Sequence, residues 1–331
     1  MTTAGAIFSA SVLEIDAAAV SAQLERSIRE IVHHQLRRRG VVVDVSGGVD
    51  SSVVAALSAR ALGPDRVLGL MMPESDSSPD SMRLARALAD AIGIRTVTED
   101  ISGVLGAAGC YRRRDEAIQS AIPEYGPGWR SKIVIADVIH RDGYPVYSVV
   151  VQTPSGKEVR ARLPLDAYLG VVAATNFKQR TRKMMEYYHA DRLRYAVAGT
   201  PNLLEHDQGF FVKGGDGAAD VKPLAHLYKS QVCRLAEYLG VPEEIRRRRP
   251  TTDTYSLEQS QEEFYFGLSL AQTDLCLYAA DHGIPPEAAA EAVGLTAEQV
   301  RRAYNAIRAK REAARYLHMP PIVIDASETV R

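Results

Sequence analysis

Apolar, β-branched residues run unbroken from Val41 to Val43. After Asp44, Val45 and a Ser46-Gly47-Gly48 turn, apolar positions return at helical spacing through Val53, Val54, Ala55, Ala56 and Leu57. A short continuous apolar run predicts a buried strand, and the change of period across the glycines predicts strand, tight turn and helix. Upstream, Val20, Leu24, Ile28, Ile31 and Val32 place a helix between about Asp16 and Arg39. Downstream, Val67 to Met72 predicts a second strand ended by Pro73, and Glu74 to Asp80 is a polar turn. A helix over Met82 to Ile92 and a third strand over Ile94 to Val97 follow. Strands alternating with helices predict an α/β fold, a Rossmann-like doubly wound parallel sheet with ligands at the C-terminal strand ends.

Residues 130–164 change character. Lys132 to Ile139 is β-rich, Arg141-Asp142-Gly143 reads as a turn, and Val146 to Val151 and Val159 to Leu163 read as strands around Thr153 to Lys157. This predicts an inserted β-hairpin region, an antiparallel excursion within an α/β chain. Helical spacing resumes from Leu165 to Arg192, and Tyr195 to Ala198 predicts a further core strand. Gly199 to Pro223 reads as a loop, Leu227 to Leu239 as a helix stopped by Gly240, and the polar, Thr-rich Pro250 to Ser260 as a mobile lid. C-terminal helices are expected over Leu270–His282, Pro286–Val293 and Ala297–Tyr316. The organisation expected is one domain over 16–325, the excursion at 130–164 within it, and tails at 1–15 and 326–331.

A chain of 331 residues, 46% hydrophobic and 24% charged, has enough apolar material for a sizeable core. A formal net charge of −1 argues against a nucleic-acid partner. The basic runs Arg112-Arg113-Arg114 and Arg246 to Arg249 read as solvated faces or local anion contacts. Cys110, Cys233 and Cys276 are odd in number and far apart, which fits neither a disulfide framework nor a zinc site. Cys233, in an apolar helical pattern, is expected to be a small buried hydrophobe. With no membrane-spanning stretch and no signal-peptide pattern, a cytoplasmic protein without a membrane partner is expected.

Chemistry changes the picture most at the first turn. A Gly-rich turn opening a helix offers backbone N–H groups to an anion, and the helix dipole reinforces them. Gly47 and Gly48 allow close approach of a phosphate, and Ser46, Ser51 and Ser52 supply hydroxyls. Asp50 makes sense beside phosphates if it holds a divalent cation that bridges to them. The turn lacks the Gly-Lys-[Ser/Thr] end of a Walker loop and the G-x-G-x-x-G spacing. It resembles the pyrophosphate loop, Ser-Gly-Gly-x-Asp-Ser, of the N-type ATP pyrophosphatases, which cleave ATP to AMP and pyrophosphate through an adenylated intermediate.

Further blocks narrow the resemblance: Asn176 to Arg182, read as a basic helix face; Gly199-Thr200-Pro201-Asn202 to Glu205; Gly209 to Asp220; Leu227-Tyr228-Lys229; and Arg249-Pro250-Thr251-Thr252-Asp253. In this order they are similar to the ammonia-dependent NAD synthetases, homodimeric enzymes with an adenine nucleotide alpha-hydrolase type of sheet. The resemblance covers roughly 20–325 apart from the excursion. It implies ATP-dependent amidation of deamido-NAD with ammonia, through an acyl-adenylate, releasing AMP and pyrophosphate. It assigns Ser46, Gly47, Gly48, Val49, Asp50, Ser51, Thr200, Lys229 and Thr251 to ATP, with Asp50, Lys229 and Thr251 catalytic. Asp50 and Glu205 are assigned to magnesium, and Arg180, Lys213 and Asp220 to deamido-NAD. The chain has no room for the nitrilase-like glutaminase domain of some synthetases, so free ammonia or a separate ammonia-donating glutaminase is expected.

Taken singly, these residues have plainer readings. Glu205 reads as a solvated helix-start acid, Lys229 as a surface lysine, Asp216 and Asp220 as turn formers, and Phe210 and Phe211 as core anchors. The family's usual His-Lys pair before the Pro-rich tail is replaced here by Tyr316-Leu317. That departure and the excursion both fall on the acceptor side, which leaves as an alternative a related synthetase that amidates another carboxylate. A third reading is a nucleotide-binding module that has lost catalysis, against which the retention of Asp50, Glu205, Lys213 and Lys229 argues.

Overall fold

The computed structural model describes residues 8–135, 147–251 and 254–324. Its centre is a four-stranded parallel sheet in the order β3-β2-β1-β7. The strands are β1 (Val41–Asp44), β2 (Val67–Met71), β3 (Arg95–Thr98) and β7 (Ala196–Ala198). The apolar run of β1 is explained by its position, paired on both edges and covered on both faces. Val41, Val43 and Val45 point into one core with α1 (Ala17–Glu30), α2 (Val49–Leu62), α3 (Pro79–Ile92) and α8 (Lys229–Tyr238). Val42 points to the opposite face with Leu68, Leu70 and Val197, against α4 (Ser102–Ala107), α5 (Cys110–Gln119) and the 29-residue α6 (Leu165–Leu193). Period-two alternation of one strand therefore feeds two cores, and the sheet is doubly wound as expected.

Beyond the sheet, α7 (Leu203–Gln208) leads from β7 towards the C-terminal helices. Following α8 and the short α9 (Glu243–Arg247), helices α10 (Leu270–Asp281), α11 (Pro286–Val293) and α12 (Ala297–His318) form a third core with Leu204 and Phe266. A second, antiparallel sheet contains β4 (Arg130–Ile135), β5 (Tyr147–Gln152) and β6 (Glu158–Arg162) in that order. Ile133, Val149 and Val151 pack there with Ile118 of α5 and Val171 of α6. The expected turn at Arg141-Asp142-Gly143, the end of the β-rich run at Ile139, and Val146 lie outside the described residues, as do Thr252 and Asp253.

Several details depart from the expectations. Cys233 is exposed: the buried stripe of α8 is Val232, Leu235 and Ala236, and Cys233 lies one residue off it. The segment Gly199 to Pro223 is not all loop, because α7 stands within it. Asn202 accepts from the Glu205 N–H while the Glu205 carboxylate accepts from the Asn202 N–H, a reciprocal cap that nucleates a helix too short for periodicity to reveal. Nor does the basic helix face expected from Asn176 to Arg182 present all its cations alike. Lys178 is 1% exposed, its Nζ donating to Glu74 Oε1 at 2.9 Å, Asp76 Oδ2 at 2.6 Å and the Thr254 carbonyl at 2.7 Å. Arg114 joins Asp76 at 2.5 Å, so β2's outgoing turn, α5, α6 and residue 254 meet in one buried ionic cluster.

Candidate functional site

The loop between β1 and α2 is shaped from within. Gly47 has φ +77°, and a Cβ there would lie 2.6 Å from the Ser81 carbonyl oxygen, so only glycine fits the turn without strain. The hydroxyls of Ser51 and Ser52 donate back to the Gly48 carbonyl at 3.0 and 2.7 Å, which fixes the first turn of α2. Gly48 is the N-cap residue and makes no side-chain cap, so the dipole end of α2 faces the cavity with Asp50 in its first turn. Gly47→Ala should lower stability by about 1 kcal/mol or more and weaken nucleotide binding. Denaturant unfolding and a nucleotide titration of the variant check both, and an unaltered loop affinity would show that the turn tolerates a side chain.

A cavity of about 130 Å³ opens on this loop. Ser46, Gly48, Val49, Asp50, Ser51, Thr200, Glu205, Lys229 and Thr251 all line it, which brings together every residue assigned to ATP or magnesium except Gly47. Lys229, the first residue of α8, pairs directly with Asp50 Oδ2, and Asn202 Nδ2 donates to Asp50 Oδ1 at 3.2 Å. Glu205 Oε1 accepts from Gln261 Nε2 at 2.8 Å. Burial, reinforced by the Asp50 carboxylate, pushes Glu205 up to about 8. Burial alone would pull Lys229 down, but the charges of Asp50 and Glu205 hold it above the ordinary lysine range.

The two carboxylates and one ammonium thus share a single wall, and the acids repel one another for want of positive charge. Such a donor set fits a hard cation that keeps other ligands from phosphate or water. Among the described residues, no cluster of three or more His, Cys, Asp or Glu side chains forms a complete metal cage.

Further cavities adjoin. One of about 150 Å³ lies over the C-terminal ends of β1 and β2, between Asp44, Met72, Arg182 and Asp216. Sheets of this class take nucleosides in that position. Another, of about 400 Å³, is walled by Tyr147, Tyr168, Phe210, Tyr255, Phe264 and Tyr265, and shares Thr200, Glu205, Thr251 and Gln261 with the first. Tyr147 and Tyr168 stack at 4.0 Å, so the inserted sheet contributes directly to this wall.

The three residues assigned to deamido-NAD line none of these cavities. Arg180 donates to the Lys213 carbonyl at 3.2 Å. Lys213 Nζ donates to the Tyr316 and Met319 carbonyls, both at 2.9 Å, and lies over the Tyr316 ring. Asp220 accepts from the Val197 N–H at 2.8 Å, tying its loop to β7.

Sequence reasoning missed Gln261, Asn202 and Asp274 as site residues. Asp274 caps α8 by accepting from the Lys229 and Ser230 N–H groups at 3.1 and 2.8 Å, which holds Lys229 in place. Nothing local in the sequence links position 274 to 229. Arg248 and Arg249 read as an anion-contact option, and the structure puts both in the wall of the cavity at the glycine loop.

A family model described as NAD synthase matches residues 20–121 and 160–315. A protein of Rhizobium meliloti named NH(3)-dependent NAD(+) synthetase is 56% identical over 324 residues, covering 98% of this chain and 97% of that one. A Thermotoga maritima protein of the same name is 35% identical over 239 residues, covering 72% and 79%. Among solved structures, NH3-dependent NAD synthetase from Campylobacter jejuni superposes with a TM-score of 0.61 at 19% identity, covering 94% of this chain and all of that one. At that identity the superposition speaks for the fold. The family model passes over 122–159, whereas the Rhizobium match at 324 residues leaves no room for a gap of that size.

Proposed function

The chain belongs to the NAD synthase family, and on that premise we propose how its own residues carry the reaction. The protein is an ammonia-dependent ligase: it amidates deamido-NAD to NAD at the expense of ATP. In such a reaction the substrate carboxylate attacks the α-phosphate of ATP, pyrophosphate leaves, and ammonia then attacks the acyl-adenylate carbonyl to expel AMP. The observation that supports the residue roles is the shared lining of one cavity by the glycine loop, Thr200, Glu205, Lys229 and Thr251.

The turn at Ser46 to Ser51 and the N-terminus of α2 receive the phosphates. Lys229, Arg248, Arg249 and the Thr251 hydroxyl face the leaving pyrophosphate, where fixed cations and donors are worth most because they need no reorganisation. Asp50 and Glu205 are the residues that would hold magnesium, which when bound supplies Lewis-acid stabilisation at the phosphate oxygens. The adenosine end fits the cavity over β1 and β2. The aromatic cavity suits the acceptor's pyridine ring, and its shared wall would bring a carboxylate on that ring to the nucleotide. Arg180, Lys213 and Asp220 serve the remainder of deamido-NAD.

Exposed apolar side chains on α6, namely Leu165, Leu169, Met184 and Tyr188, suit burial in a homodimer. No helix among the described residues is long and apolar enough to cross a membrane. Three cysteines without disulfides fit the reducing cytoplasm.

Incubation with MgATP, ammonium and deamido-NAD should yield NAD and AMP in equal amounts, followed by mass. AMP formation that demands a different carboxylate would keep the adenylation chemistry and overturn the acceptor assignment.

A further inference from the structure

The second sheet has a neighbour that its own strands do not predict. From residue 254 the chain runs through Tyr255 to Gln259, and Ser260 then meets Thr251 at an isolated bridge beside the nucleotide cavity. Between those points it lies along the outer edge of β4. Arg130 Nε donates to the Ser256 carbonyl at 2.6 Å, and the Ser131 N–H donates to Ser256 Oγ at 2.9 Å. In return the Leu257 N–H donates to the Ser131 carbonyl at 3.1 Å, and Gln259 Nε2 donates to the Ile133 carbonyl. Lys132 Nζ reaches the Glu258 carbonyl at 3.3 Å and both oxygens of Glu263, at 2.9 and 3.0 Å. Apolar contacts run the same way: Leu257 packs with Val134 and Val150, and Tyr255 with Ile133, Val149 and Val151.

One backbone bond, from Leu257 to Ser131, and the side chains of Ser256 and Gln259 tie the segment to the free edge of β4, so it lines that edge without joining the sheet as a strand. It carries at one end Thr251 and at the other Gln261, the donor to Glu205. The two strands that contact it or lie beneath it, β4 and β5, fall within the stretch the family model passes over, while the gripped segment falls within the matched part.

We propose that the inserted sheet is a built-in dock for the 254–263 segment. Arg130 and Lys132 are positioning residues that set Thr251 and Gln261 against the nucleotide cavity before substrate arrives. The segment is held by the protein's own contacts, which lowers the ordering cost that falls on the binding step. The assignment of the cavity to ATP is the reading on which the catalytic half of the proposal rests.

The test is a charge swap across the Lys132–Glu263 pair, with the full-length protein. Lys132→Glu and Glu263→Lys should each speed amide exchange at Leu257 and its neighbours by about tenfold in the free protein. The same variants should raise KM for ATP and lower kcat for pyrophosphate release, with the unfolding midpoint held. The double swap should restore both readouts. Unchanged exchange in the single variants would overturn the dock. Faster exchange with wild-type kinetics would overturn the positioning role. Should Lys132→Glu fail to fold, Lys132→Gln serves with the same expectations at smaller amplitude. Exchange is measured without ligand, so it does not depend on the ATP assignment, which AMP formation by the wild-type protein tests separately.

Discussion

Asp50→Ala abolishes pyrophosphate release, by about a thousandfold or more, while the protein stays folded; this is the expected result of removing one carboxylate from the shared wall. Asp50 meets Lys229 on one oxygen and Asn202 on the other, and its charge is a cause of the raised Glu205. Without it the site loses a carboxylate proposed to hold a divalent cation and the direct partner of Lys229. Asp50 lies outside the apolar core with 16% of its side chain exposed, and Glu205 stays beside Lys229 to offset part of its charge, so circular dichroism should stay near wild type while the unfolding midpoint falls for the ammonium left without its direct partner. Pyrophosphate release measured against magnesium concentration checks it. Near-normal turnover in the variant would remove Asp50 from the chemistry and, with it, the proposed cation site.

The largest effect on stability is expected at Lys178, far from any sequence signature of the core. Lys178→Met leaves Glu74, whose side chain has no exposure, and Asp76 without their shared ammonium, and should cost about 3–5 kcal/mol. Most of that cost is the charge left behind, so adding Glu74→Gln to Lys178→Met should recover part of it. Urea unfolding of the single and double variants separates the two outcomes. A single variant as stable as wild type would mean that the cluster repacks or takes in water. Because the same Nζ holds the Thr254 carbonyl, the variant should also loosen the start of the docked segment.

The contrast between these two residues marks what was legible in the sequence. Asp50 belongs to a strand, turn and helix contiguous in the chain, so its position follows from local pattern. The parallel sheet was readable for the same reason: each β–α unit announces itself by a change of period. Lys178 was read as part of a basic helix face because its partners, Glu74 and Asp76, lie about a hundred residues upstream, and helical spacing cannot say what packs against it. Gln261 and Asp274 were invisible for the same cause, since each acts on a residue contributed by a distant element. The helix α7 hid behind its glycine-rich surroundings, although Asn202 and Glu205 at capping-box spacing were in view. Cys233 was misplaced by one helical position, about 100° of rotation, enough to turn a buried face outward.

The outer sheet has two edges, and they are protected in different ways. At β6, exposed Glu158, Arg160 and Arg162 alternate along the strand, and charge of that kind discourages pairing with another chain. At β4 the protection is the docked segment itself, which occupies the Ser131 and Ile133 backbone groups. Peeling that segment away would bare a short template for intermolecular pairing, flanked by Val134 and Ile133. Catalytic readiness and colloidal stability would then depend on the same few hydrogen bonds, and a chain selected for a looser lid would be under pressure to recharge β4.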